Sequence, residues 1–403
     1  MTQAKPIAAS EMVDPWSMDF ETYLATIRDF TQNELIPAEM ETERDDEIPE
    51  RIVDRMRALG FWAISLPREW GGLGWTQEQQ VRLTFEFTQA SCVYRSRFST
   101  TIGLVSQLIL EYGTEAQRQS YLPRIAKGEI TGSFTLTEVQ AGSDAGNVAS
   151  TARKDGDHYV INGTKRYITN GPDAELFLVI AKVVDADGNV PGGRKDPSVF
   201  LIDKGTPGIE AGPAYNMMGQ RGSHVSDVYL TDCRVPASCL LGGVEGGGLK
   251  KGLRGINHAR THVAATGVGQ GIRLMNEVLK FVNEREQFGQ LIGEFQAMQV
   301  MIGESRAELS AAKALTLDVA RRFYEDPKPF IDISAAKLFS TEMVGRLADR
   351  AVQIFGGQGY MTEQAVSRIA RDVRVLRIFE GTSQIHQTNI AKSIIRDGVL
   401  KDF

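Results

Sequence analysis

Across residues 20–128 apolar side chains recur at intervals of three and four, as in Tyr23-Leu24-Ala25-Thr26-Ile27-Arg28-Asp29-Phe30 and Ile52-Val53-Asp54-Arg55-Met56-Arg57-Ala58-Leu59-Gly60. This period gathers apolar groups on one face of a helix, and predicts helices that end at glycines such as Gly60 and Gly113. The breaker-rich stretch Leu66-Pro67-Arg68-Glu69-Trp70-Gly71-Gly72-Leu73-Gly74 reads as a loop between them. Over residues 130–244 the pattern changes to short alternating or wholly apolar runs: His158-Tyr159-Val160-Ile161, Leu176-Phe177-Leu178-Val179-Ile180-Ala181 and Ser198-Val199-Phe200-Leu201-Ile202. Such runs predict a β domain, with residues 185–196 as a mobile loop between strands. A glycine cluster at Gly242 to Gly248 marks the next junction, and long helical periodicity then returns, including residues 304–324 and 335–355, which predicts a helical bundle. The expected class is α+β, mainly α, in three domains: 1–129 helical, 130–245 β, and 246–403 helical.

Composition narrows the function classes. The 403 residues carry 45 Lys+Arg against 51 Asp+Glu, a net charge of -6, which gives no reason to expect nucleic acid or an anionic membrane as partner. Cys92, Cys233 and Cys239 are odd in number and lack CxxC spacing, so no disulfide framework or zinc site is expected. His258 and His262 share i, i+4 spacing without the acidic neighbour of an HExxH motif, so no metal is expected there. The N-terminal stretch has neither the apolar core of a signal peptide nor the arginines of a transit peptide, and no run approaches a membrane span of about twenty apolar residues. A soluble, cytoplasmic protein is the expectation. Gly242 to Gly248 lacks the Gly-Lys-Ser/Thr end of a phosphate loop, and Gly356-Gly357-Gln358-Gly359 lacks the spacing of a dinucleotide fingerprint. Both are expected to be a flexible link or a helix-terminating turn.

The candidate chemistry centres on Glu380, in Arg377-Ile378-Phe379-Glu380-Gly381-Thr382-Ser383-Gln384-Ile385-His386. A carboxylate between an apolar pair and Gly-Thr-Ser suits proton abstraction in a dry pocket, though in isolation such a residue also fits a helix end on the surface. Phe134-Thr135-Leu136-Thr137-Glu138-Val139-Gln140-Ala141-Gly142-Ser143-Asp144 opens the β zone as a strand running into a turn of small residues. Its amides and hydroxyls could hold a flat hydrogen-bonding ring or a phosphate, or form a plain hairpin connection.

Taken with Tyr167-Ile168-Thr169-Asn170-Gly171, Arg285-Glu286-Gln287-Phe288-Gly289 and Gln353-Ile354-Phe355-Gly356-Gly357, these segments closely resemble the flavin-dependent acyl-CoA dehydrogenase family, nearly end to end and in the right order. The resemblance implies an N-terminal helical domain, a central β-barrel and a C-terminal four-helix bundle, with FAD as cofactor and a homotetramer as the assembly. It also implies α,β-dehydrogenation of an acyl-CoA thioester, with electrons passing to electron-transferring flavoprotein. At the matching positions it makes Glu380 the base for the α-proton while the β-hydride goes to the flavin. The charge growing on the thioester oxygen would be met by a backbone amide of that glutamate and a ribityl hydroxyl. An apolar lining should raise the carboxylate's pKa.

For the cofactor, the resemblance assigns Phe134, Leu136, Thr137, Gly142 and Ser143, on a strand taken to run from 134 to 143, together with Tyr167, Ile168 and Thr169, to the isoalloxazine side. Tyr167 departs from the tryptophan often found there. Arg285, Phe288 and Gln296 are assigned to the pyrophosphate and adenine, from a neighbouring subunit, and Gln353, Gly356, Gly357, Thr382 and Gln384 complete the set. Arginine suits phosphate because its planar fork donates paired hydrogen bonds. Ser143, Asn257, Arg260 and Gly381 match positions along the substrate channel. Some members carry the base immediately before the Arg260 position; here that residue is Ala259, which cannot take a proton.

Tyr94-Arg95-Ser96 is similar to the part of glutaryl-CoA dehydrogenases where an arginine and a serine meet the distal carboxylate of the substrate. That similarity implies, for Arg95 and Ser96, a short acyl-CoA with a polar or anionic end; pairing of Arg95 with an internal acid, or its exposure to solvent, is the other reading. Decarboxylating members have a glutamate seven positions before the arginine and a tyrosine before the base, whereas this chain has Thr88 and Phe379. The competing functions are a short- or branched-chain dehydrogenase with Arg95 structural, a flavin protein with altered elimination or oxidase chemistry, and a non-catalytic scaffold.

Overall fold

The computed structural model describes residues 14–190, 196–325 and 329–398. The predicted mobile loop at 185–196 lies partly outside these residues. What is described of it is tied down: Asp185 accepts hydrogen bonds from the amides of Asp187 and Asn189, and Asp196 from those of Gly247 and Leu249.

Seven helices open the chain: α1 (Phe20–Phe30), α2 (Ile36–Asp45), α3 (Glu50–Ala58), α4 (Gln77–Phe87), α5 (Val93–Thr100), α6 (Ser106–Tyr112) and α7 (Glu115–Ala126). In α1, Phe20, Tyr23, Leu24, Ile27 and Phe30 are buried, the spacing that the sequence pattern gave, and Asp19 caps its first turn. Thr76 with Gln79 and Thr114 with Gln117 form capping boxes at the starts of α4 and α7, each satisfying amides that a helix N-terminus leaves free. Helices α5 and α6 are one rod joined by a π-helical turn, Thr101–Val105, an irregularity that often marks functional sites.

The β domain is one seven-stranded sheet built from β1 (Gly132–Thr135), β2 (Thr151–Asp155), β3 (His158–Thr169), β4 (Leu176–Val184), β5 (Ser198–Asp203), β6 (Ile209–Ala211) and β7 (Val225–Pro236). Strand β4 pairs with β1 and β2 in parallel and with β5 antiparallel. Its continuous apolar run follows from burial on both faces. Leu176, Leu178 and Ile180 point into a core shared with the N-terminal helices, and Phe177, Val179, Ala181 and Val183 into a second core on the other side.

The predicted strand from 134 to 143 is shorter than expected: β1 starts at Gly132 and stops at Thr135. The reason is Glu138, whose buried carboxylate accepts hydrogen bonds from the Ala149 and Ser150 amides and the Ser150 hydroxyl, and an ion pair from Lys165 Nζ at 2.6 Å. The segment after Thr135 folds around that carboxylate as a loop.

The C-terminal part contains α8 (Gly248–Val282), a small hairpin of β8 (Glu286–Gln287) and β9 (Gln290–Leu291), α9 (Gln296–Arg321), α10 (Phe330–Phe355), α11 (Ala365–Asp372) and α12 (Ser383–Asp397). The helix expected over 304–324 begins earlier and ends sooner. The glycine junction is not free chain, because Gly246 N donates to Ser198 Oγ and Gly248 N to the Pro197 carbonyl. Apart from the bundle's own core, α8 sends Ile256 and Ala259 into the first core, so this one helix touches both helical layers. No helix among the described residues is long and apolar enough to cross a membrane.

Candidate active site

Glu380 sits in the bend between a 3-10 turn (Val373–Arg377) and α12, with φ at +53°, in the left-handed region that is costly for a residue with a side chain. Gly381 follows at φ +94°. Tyr167 (φ +57°), Asn170 (φ +59°) and Phe288 (φ +54°), all from the motifs singled out in the sequence, share this strain. Only seven non-glycine residues do so among those described, and strain of this kind persists where the surrounding structure enforces it.

The bend is held from three helices. The Glu380 carbonyl accepts from Arg260 Nε of α8 at 3.0 Å and from His386 Nε2 of α12 at 3.2 Å; the Gly381 carbonyl accepts from Lys337 Nζ of α10 at 2.7 Å. Thr382 caps α12 through the Ile385 amide. The Glu380 carboxylate is in no hydrogen bond or ion pair with the described residues. As a residue Glu380 is partly accessible, yet protein crowds its carboxylate, and desolvation raises its pKa; Arg260, Arg95 and Lys337 act in the opposite direction through space. A base with raised proton affinity, unbonded and close to three cations, is poised to take a proton.

Arg260 was expected along the substrate channel. It is buried, and its guanidinium is committed to the Glu380 carbonyl and, at 2.9 Å, to Asn257 Oδ1. Asn257 is therefore tied to the bend through its oxygen, leaving its amide nitrogen as the polar group it could offer a ligand. Ala259 lies against Gly103 of the π-turn, where a Cβ on the glycine would come within 3.7 Å of it.

Arg95, on α5, is buried, with 9% of its surface exposed, and no hydrogen bond or ion pair from the described residues reaches it. It forms no ion pair with an acid among the described residues, although the Glu380 carboxylate acts on it through space. Burial pulls its guanidinium down to about 10, with Glu380 and Cys92 opposing. It borders a narrow hollow with Thr84, Phe87, Phe98, Ile102 and His262. His262 is held by Thr84 and Gln80, and burial keeps it neutral. Ser96, the neighbour of Arg95, turns elsewhere: its hydroxyl donates to Gln220 Oε1 at 3.0 Å, because successive helical residues point about 100° apart. Its carbonyl accepts from Asn170 Nδ2 at 3.0 Å, which ties α5 to the strained Tyr167 turn.

On the β domain, Leu136 and Ile168 put their side chains into the cores, so only their backbone can face a ligand. Phe134 packs against Gly252 of α8. The hydroxyls of Thr137 and Thr169 are partly buried and find no partner among the described residues, and Tyr167, 61% exposed, shows its ring beside them. A Cβ on Gly142 would meet nothing, and Ser143 is exposed on the same loop. Free hydroxyls, open backbone and an aromatic face fit one side of a flavin ring.

The remaining set lies elsewhere. Phe288 and Gly289 form the two-residue β8–β9 turn, both at positive φ, with Phe288 96% exposed. Arg285 and Gln296 flank it on the surface. Gln353, Gly356 and Gly357 are exposed at the end of α10, and stacking of Phe281 on Phe355 at 4.1 Å puts that end beside the end of α8 and its hairpin. From Lys337 to Gln353 along α10 is about 24 Å at 1.5 Å per residue, so one chain does not bring this set to Glu380. Thr382 and Gln384, by contrast, lie on the Glu380 bend.

The pattern missed Lys337 and His386. Lys337 was read only as part of a helical period, yet it falls on the buried stripe of Ile333, Ala336, Ser340 and Val344, where a lysine is anomalous.

Comparison with known proteins agrees with this architecture. Residues 17–129, 133–233 and 246–395 match the family models for the acyl-CoA dehydrogenase N-terminal, middle and C-terminal domains. The chain is 36% identical over 372 residues to acryloyl-CoA reductase (NADH) of Anaerotignum propionicum, covering 92% of each. Its structure resembles butyryl-CoA dehydrogenase from Megasphaera elsdenii, with a TM-score of 0.87 and 28% identity over 96% of this chain and 99% of that one. It also resembles a glutaryl-CoA dehydrogenase in complex with glutaryl-CoA, with a TM-score of 0.87 and 30% identity over 96% of both chains.

Proposed function

Because the chain belongs to the acyl-CoA dehydrogenase family of FAD-dependent oxidoreductases, we propose that it dehydrogenates a short acyl-CoA with a polar or anionic acyl end, using Glu380 as base. The observation that carries the acyl preference is the buried Arg95, which forms no hydrogen bond or ion pair with the described residues and faces mainly apolar neighbours such as Phe87, Phe98 and Ile102. A carboxylate arriving there would supply the missing partner in a charge-assisted pair, and a plain alkyl chain would leave the cation buried alone.

Glu380 takes the α-proton, and a double bond forms as the β-hydrogen leaves with its electron pair. FAD, when bound, supplies the two-electron acceptor for that hydrogen. Thr137, Thr169, Tyr167 and the backbone from Leu136 to Ser143 would hold its ring. The charge on the thioester oxygen is met by the Glu380 amide, whose direction the clamped bend fixes. Ser143, the Asn257 amide nitrogen and Gly381 line the path of the pantetheine.

The distance between the Phe288 and Gln353 set and Glu380, together with an almost fully exposed phenylalanine on a strained turn, supports a homotetramer in which that set serves a neighbouring subunit's FAD. Electron-transferring flavoprotein is the proposed acceptor, and the cytoplasm the proposed compartment. Thr88 and Phe379 argue for oxidation without decarboxylation. A second reading, reduction of the enoyl-CoA at the same site, is favoured by the similarity to acryloyl-CoA reductase.

The test is anaerobic flavin bleaching with glutaryl-CoA, butyryl-CoA and isovaleryl-CoA. Fastest bleaching by glutaryl-CoA is expected. Flavin that no acyl-CoA bleaches but that acryloyl-CoA reoxidises after chemical reduction would favour the reductase reading.

A further inference from the structure

Lysine is rarely buried unless its charge has a use, and Lys337 has no exposed surface. Its Nζ does not pair with a carboxylate at contact distance. It donates instead to the Gly381 carbonyl at 2.7 Å, next to the Glu380 carbonyl that Arg260 and His386 hold. Two consecutive carbonyls thus receive three side-chain donors, from α10, α8 and α12, at the two left-handed residues that aim the Glu380 side chain. Capping α12 accounts for none of these donors, because its N-terminus offers free amides and Thr382 Oγ1 accepts from one of them.

His386 is fully buried; a carbonyl can only accept, so its Nε2 carries the hydrogen and its Nδ1 has none. Nδ1 is left without a partner, and desolvation keeps the ring uncharged at neutral pH. The cations of Arg260 and Lys337 also oppose protonation there. A Cβ on Gly381 would come within 3.1 Å of His386 Nε2 and 3.4 Å of an Arg260 guanidinium nitrogen, so the donors close tightly on the bend.

We infer that Lys337 is a positioning residue for the reaction: with Arg260 and His386 it clamps the Glu380-Gly381 peptides, fixing the direction of the carboxylate and lowering its proton affinity by through-space charge. The inference rests on Glu380 being the base. The charged groups facing Lys337 are Glu380 from the bend, Arg260 from α8 and Glu342 from its own helix, with neutral His386 from α12. Desolvation brings the ammonium down to about 8, with Glu380 opposing it. Its charge therefore titrates just above neutrality, where an arginine in its place would not.

The experiment follows anaerobic flavin reduction in the full-length, FAD-loaded protein against pH, with butyryl-CoA and glutaryl-CoA as probes. Lys337→Met should keep FAD and leave KM within a few-fold. It should slow the limiting reduction rate by about 10²-fold, the loss a misplaced base produces, and move the acid limb of the profile to higher pH. Lys337→Arg should restore the acid limb. A Lys337→Met protein with the wild-type limiting rate and acid limb would overturn the inference. If that variant loses FAD or does not fold, position 386 decides: His386→Leu should slow reduction while His386→Gln, which keeps a donor, should not, and equal rates for the two would overturn the clamp. Glu380→Gln is measured in parallel. Wild-type reduction in Glu380→Gln would remove the base reading itself, whereas a silent Glu380→Gln beside an unaltered Lys337→Met removes only the clamp.

Discussion

Replacing Arg95 by methionine separates its cost to the fold from its value to the substrate. The guanidinium is buried, touches no described hydrogen-bond partner or counter-ion, and stands at about 10 because desolvation disfavours its charge. At about 1.4 kcal/mol per pH unit, the gap from a free arginine puts the cost of holding that charge on the order of 3 kcal/mol. The sign follows from the depressed value: the cost is present at every pH below about 10 and fades as the pH rises through it. Methionine fills a similar volume without the charge, so thermal denaturation of the acyl-CoA-free protein should show an unchanged or raised Tm. A substrate carboxylate recovers that cost, and 3 kcal/mol corresponds to roughly 10²-fold in rate or affinity. The ratio of kcat/KM for glutaryl-CoA over butyryl-CoA, followed by flavin reduction, should therefore fall by about 10²-fold in Arg95→Met. An unchanged ratio would refute the assignment of Arg95 to the acyl end, and a marked fall in Tm would show that the guanidinium has a structural partner.

Glu380→Gln should retain FAD and bind acyl-CoA while the flavin reduction rate drops by about 10⁴-fold, the upper range for an essential proton acceptor, as read by stopped-flow absorbance. In the wild type that rate should fall with an acid limb above the ordinary glutamate value, since desolvation raises Glu380; a limb at or below that value would contradict the crowding of its carboxylate. Gly381→Ala meets both a positive φ and the His386 and Arg260 contacts, so a loss of about 1–3 kcal/mol in chemical denaturation and a slower reduction rate are expected. His224 bonds Asp173 at 2.9 Å and is raised to about 9, chiefly by that bond. Its stabilisation is full below the free histidine value and lost as pH rises through about 9, so the Tm deficit of His224→Gln should vanish in alkaline buffer.

Much of the architecture was legible in the chain because it is governed by periodicity. Three-and-four spacing gave the helices, and the unbroken Leu176 to Ala181 run gave a strand that is in fact buried on both faces. Glu380, Tyr167 and Phe288 were visible as motif residues. That they share an unusual backbone conformation was not visible, since a positive φ at a non-glycine residue is imposed by neighbours rather than by the residue itself. The end of β1 was misjudged because it is set by Glu138 reaching eleven residues ahead to the Ala149 amide, a contact with no local signature.

The sequence by itself determined the order of helix, sheet and bundle, because that depends on residue identity and local spacing, while Glu380 as candidate base and Ala259 as no rival to it followed from the family resemblance. The tertiary structure alone decided where those residues sit and what they touch. It left Arg95 buried without a partner, turned Ser96 toward Gln220, and drew Arg260, Lys337 and His386 from three helices onto two adjacent carbonyls. The burial of Arg95 and Lys337 and the bonds that Arg260 and Lys337 make to the bend arise between segments far apart in the chain, so no window of sequence contains them.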